Sequence, residues 1–101
     1  MLNGNLPRAI EESRQLVARR PDDGRAQNLL GVACATAGDR VCARAAFEAA
    51  LRANPRDAEA YANIGVWHLH GGDAAAAADQ FAVAVTLDRS SAAARDRKSV
   101  V

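Results

Sequence analysis

The chain has 101 residues, half of them hydrophobic, with 13 basic and 12 acidic side chains and a formal net charge of +1. That length holds one small domain, and so balanced a charge excludes the strong field that would draw in nucleic acid or an anionic membrane surface. Twenty-five alanines against four aromatic residues supply little side-chain volume, so the elements must pack closely and no broad, deep cleft is expected.

Helices are predicted at 6–19, 24–37, 40–53, 58–70 and 74–87, with a sixth starting near Ala92. Asn5 follows Gly4 and opens the first. Asp23 follows "RRPD" into the second, and Asp39, after Gly38, opens the third. Asp57 follows "NPR" before the fourth, Asp73 follows Gly72 before the fifth, and Ser91 stands in the same register before the sixth. Each is a residue whose side chain can accept the unpaired amides of a first turn, and each glycine can close the preceding turn without steric cost. Pro21 and Pro55 end helices because proline lacks the ladder's amide hydrogen; Arg89 stands at the third such place. The opening "MLNGNLPRAIEE" has no apolar run behind a basic head, and no stretch reaches the roughly 18 apolar residues of a membrane helix. The chain therefore reads as soluble, with the cytoplasm as its default location.

These elements repeat. At an offset of 34 residues Gly4, Gly38 and Gly72 align, then Asn5, Asp39 and Asp73, then Ala9, Ala43 and Ala77. Further identical pairs are Ala26 with Ala60, Gly31 with Gly65, Val32 with Val66, Phe47 with Phe81 and Ala50 with Ala84. A fixed period of this length marks a stack of helix pairs. On the residues Leu30-Gly31, Ala43, Phe47, Ala50 and Pro55 in one unit, and Tyr61, Ile64-Gly65, Ala77, Phe81 and Ala84 in the next, the chain resembles tetratricopeptide repeats. Departures are Gln27 for the first aromatic residue, Cys34 and His68 for a tyrosine, and Arg89 for the proline. Residues 4–21 resemble the second helix of an earlier unit, with Ser13 where Phe is expected and Leu16 where a small residue is expected.

The resemblance implies an all-α fold, a right-handed α-solenoid of antiparallel helix pairs. The array would occupy residues 1–95, as a partial repeat at 4–21 and full repeats at 24–57 and 58–91, with a disordered tail at 96–101. Gly31 and Gly65 are expected to face Ala43 and Ala77 across their hairpins, and Phe47 and Phe81 to fill the space between units. Neither end looks capped, so the chain is expected to be a segment of a longer array or to self-associate through its ends.

The resemblance also implies a concave groove, lined by first helices, that binds a protein or peptide without catalysis. By register Arg25, Asn28, Leu29, Val32 and Thr36, then Glu59, Ala62, Asn63, Val66 and His70, should look into it. The alternative is a structural or regulatory segment of a larger enzyme or of a secretion or assembly protein. One subtype grips the carboxylate tail of heat-shock chaperones. Here Asn63 and Arg97 match that grip, but Asn28, Val32 and Ala93 fill the remaining positions, which argues against that partner.

Cys34 and Cys42 flank the Gly38 turn on opposing helices, which leaves two readings. They bridge, implying an oxidising compartment such as the periplasm, or they serve as small buried hydrophobes. His68 and His70 point about 200° apart on a helix and cannot chelate together. No nucleophile has a histidine and acid in register, and "HGGD" at 70–73 reads as a turn between helices rather than a phosphate loop, so neither enzyme activity, cofactor nor metal is expected. Arg8, Arg40, Arg44 and Arg52 are expected on a solvated convex face.

Overall fold

A computed structural model describes residues 6–100 of the chain, and side chains from 8 to 90. Its helices are α1 (Leu6–Arg19), α2 (Gly24–Thr36), α3 (Arg40–Ala53), α4 (Ala58–His70) and α5 (Ala74–Val100). Gly4 and Asn5, expected to open α1, lie outside the described residues.

The helix starts follow from side-chain chemistry. Asp23 Oδ1 accepts the amides of Arg25 and Ala26 at 2.9 and 3.4 Å, and Asp39, Asp57 and Asp73 accept those of Cys42, Ala60 and Ala76 at 3.0, 3.1 and 3.0 Å. Each satisfies amides that the helix itself cannot. The ends of α2 and α4 close the same way as each other. Gly38 and Gly72 take φ of 83° and 85°, and the following Asp39 and Asp73 amides donate back to Cys34 and His68 carbonyls, each at 2.9 Å. Only glycine adopts that left-handed backbone at little cost, which is why both turns carry it.

Helices α2 and α3 form one antiparallel hairpin and α4 and α5 the next, while α1 packs on α2, α3 on α4, and α2 touches α4. The core between them gathers Leu30, Cys34, Ala43, Ala46, Phe47 and Ile64, with Ile10 and Val17 of α1 packed against it. Ser13, at the position where a phenylalanine was expected, is buried in α1, whereas Leu16 is 45% exposed.

Two expectations are corrected. What stands nearest Gly31 is the Phe47 ring of its own hairpin rather than Ala43: a Cβ there would stand 2.3 Å from that ring, and at Gly65 one would stand 2.7 Å from the ring of Phe81. The glycines are therefore slots for phenylalanine rings, and each ring serves its own hairpin first. Nor does the chain break near residue 88 and restart at Ala92. Helix α5 continues to Val100, so Ser91 is no cap and residues 96–100 lie in the same helix. Where Pro55 ends α3, Arg89 keeps its amide and the alanines at 92–94 favour helix, so nothing interrupts the ladder. At 27 residues α5 runs about 40 Å.

Candidate functional site

The face shared by α2 and α4 carries a slot of about 400 Å³. Val32 and Thr36 enter it from α2, and Asn63, Val66 and His70 from α4; Phe47, Trp67 and Arg40 complete the lining with Ala35 and Gly38. Spacings of three or four along each helix (32 and 36, then 63, 66 and 70) bring these side chains to one side. Val32 and Val66 are 45% and 43% exposed, so the slot offers apolar surface to a ligand. Its polar groups include the Arg40 guanidinium, the Asn63 amide, the His70 ring and the Thr36 hydroxyl, the last donating to the Val32 carbonyl at 2.8 Å. None of the lining side chains is acidic.

Of the ten residues expected in a common groove, these five come together. Arg25 and Leu29 instead line a separate depression between α1 and α2. Glu59 is exposed and Ala62 half-buried, and neither lines the slot. Asn28 is the clearest departure, since it is only 2% exposed. Its amide donates to Asp57 Oδ2 at 2.9 Å and its oxygen accepts from Asn63 at 3.5 Å. Because Asp57 Oδ1 caps α4, Asn28 ties the start of one unit to the flank of the last. A buried polar residue so paired serves the packing between units, and the approach of α4 covers Asn28 although its register neighbour Val32 lines the slot.

Trp67 was not anticipated. Its Nε1 donates to the Arg40 carbonyl at 3.0 Å, while Arg40 Nη1 donates to the Trp67 carbonyl at 3.1 Å. The Arg40 guanidinium lies 3.9 Å from the ring centroid and that of Arg44 5.2 Å. Arg44 also donates to Glu48 at 2.6 Å and approaches His68 Nε2 at 3.4 Å. Arg40 and Arg44 are thus not simply part of a solvated face; they join α3 to α4 by stacking on the indole. The presence of a single tryptophan beside Val66 was the available signal, but only the crossing of α3 over α4 gives it arginine partners.

Cys34 and Cys42 are bridged, with Cα atoms 5.8 Å apart. Cys34 is fully buried, so the bridge also serves as core. Among the described residues no three histidine, cysteine or acidic side chains are grouped to hold a metal ion, and no described helix is long and apolar enough to cross a membrane.

No curated protein matches the chain. A family model described as tetratricopeptide repeat matches residues 3–39 and 43–94. Members of that family are typically non-catalytic helical repeats that mediate protein–protein interaction. With paired helices at a 34-residue period and a matching family model over most of its length, the chain belongs to the tetratricopeptide repeat family, a right-handed α-solenoid.

Proposed function

We propose that the protein is an interaction module that holds an extended segment of a partner protein in the slot between α2 and α4. The observation that carries this reading is the pairing of exposed Val32 and Val66 with the Asn63 amide beside them. An apolar side chain of the partner would sit between the valines while Asn63 bonds its backbone. With Arg40 and His70 on the rim and no acid in the lining, segments carrying an acidic residue next to the apolar anchor are favoured. The Cys34–Cys42 bridge supports a working place in an oxidising compartment.

The test is affinity capture from source lysate with the unmodified chain, with Val32→Glu/Val66→Glu, and with Val85→Glu, an exposed change on α5, after circular dichroism shows equal helicity. Proteins held by the first and third but lost by the second support the slot. Equal capture by all three would sink it.

A further inference from the structure

We propose that the Cys34–Cys42 bridge is a thiol–disulfide exchange site whose substrate is a thiol on an anionic carrier, taken up at Cys42 beside Arg14. The two sulfurs are unequally placed. Cys34 is fully buried in the core with Leu30, Ala43 and Phe47, whereas Cys42 is half-buried and borders an open depression of about 380 Å³ between α1, α2 and α3. No residue lining that depression also lines the slot between α2 and α4, so exchange at Cys42 and binding in the slot are separate tasks.

Charge gives the depression its selectivity. Among the described residues lining it, Arg14 and Asp39 are the charged ones. Asp39 Oδ1 accepts the Cys42 amide at 3.0 Å as the cap of α3. Arg14, exposed on α1, points its Nη2 at Cys42 Sγ from 3.9 Å and has no ion-pair partner among the described residues. The cation thus stands at the accessible sulfur, where it draws in a thiolate that carries further negative charge and stabilises the charge shared among the sulfurs during exchange.

Attack follows access, so Cys42 is the sulfur that reacts. The carrier's thiol gives its proton to solvent, and its thiolate forms a bond to Cys42 Sγ as the bond from Cys42 to Cys34 breaks. Cys34 leaves with the electron pair and takes up a proton from solvent, which makes it a neutral thiol suited to the core. The carrier's sulfur is oxidised to the mixed disulfide and Cys34 is reduced, so the step balances without another reagent. A second thiolate of the same class then attacks the carrier's sulfur, forms the carrier disulfide, and releases Cys42 as a thiolate next to Arg14.

The test follows bridge opening in the full chain with 2-mercaptoethanesulfonate as a small anionic thiol, an acidic peptide bearing one cysteine, and cysteamine as a cationic control. Opening should be first order in thiolate and unmoved by urea below the unfolding transition. The rate ratio of the sulfonate to cysteamine should fall by about tenfold with Arg14→Glu and by less with Arg14→Gln. A Cys34→Ala chain mixed with the disulfide of the sulfonate should gain one adduct, which peptide mass mapping places on Cys42. Dichroism checks that each variant keeps its fold. Opening by the sulfonate alone assigns the site to small thiols, and opening by the peptide as well extends it to polypeptides. Opening that rises with urea in step with unfolding, a rate ratio unchanged by Arg14→Glu, or a folded Cys34→Ala chain without adduct would each overturn the proposal and leave the bridge a structural one.

Discussion

Replacing Gly31 by alanine adds one methyl group at a point where the Phe47 ring already stands 2.3 to 2.8 Å away. Carbon atoms not bonded to each other rest about 3.5–4.0 Å apart, so ring and helix must separate by roughly 1 Å. Phe47 is only 2% exposed and sits among Leu30, Cys34, Ala43 and Ile64, which leaves it no open side to move toward. Overpacking of this kind costs about 1–3 kcal/mol, against which alanine regains up to about 1 kcal/mol of helix propensity. The net expectation is a loss of about 1–2 kcal/mol, or a fall in Tm on the order of 10 °C for a domain this small. Urea titration followed by far-ultraviolet circular dichroism measures it. Trimming the ring should restore part of the loss, so Gly31→Ala/Phe47→Leu should be more stable than the sum of the single changes predicts. Gly65→Ala should cost less, because Phe81 is half-buried and can tilt outward. A neutral or stabilising Gly31→Ala, or strict additivity with Phe47→Leu, would refute the reasoning.

Asn28→Ala should cost about 1–3 kcal/mol by leaving Asp57 and Asn63 short of a partner. Asn28→Asp should cost more at neutral pH, because it sets two carboxylates together in a buried place. That extra loss should shrink on acidification, since protonating either carboxyl restores a donor, and denaturation at two pH values reads the difference. Reducing the Cys34–Cys42 bridge opens a loop of sequence separation 8, which on the chain-entropy account removes about 2.5 kcal/mol. The melting temperature should fall on adding reductant, while a Cys34→Ala/Cys42→Ala variant should melt at one temperature with or without it. Trp67→Leu removes the arginine stack and the hydrogen bond to the Arg40 carbonyl, for a loss of about 1–2 kcal/mol in the same urea titration; Trp67→Phe should recover part of it by keeping a ring under Arg40.

Capping and periodicity by themselves determined the fold. A capping asparagine or aspartate before each of these helices, a glycine closing each hairpin turn, and Pro21 and Pro55 between units act within a few residues, so α1 to α4 are legible within a residue at each end. Identities 34 residues apart then dictate that successive pairs stack, because units alike in sequence bury like faces against one another. What lay beyond that reach was decided by tertiary structure. Whether Gly31 meets Ala43 or Phe47 depends on the rotation of α3 against α2, which no spacing along one helix contains. Asn28 reads as a groove residue on a helical wheel, yet the approach of α4 buries it against Asp57. Trp67 has no evident role until α3 crosses α4 and brings Arg40 and Arg44 over its ring. The bridge between Cys34 and Cys42 likewise needs two helices closed about Gly38 to set the Cα atoms 5.8 Å apart. Local rules fix where helices begin and end because their partners are neighbours in the chain. The site is built from contacts between helices, where a rotation of part of a turn exchanges a buried side chain for an exposed one.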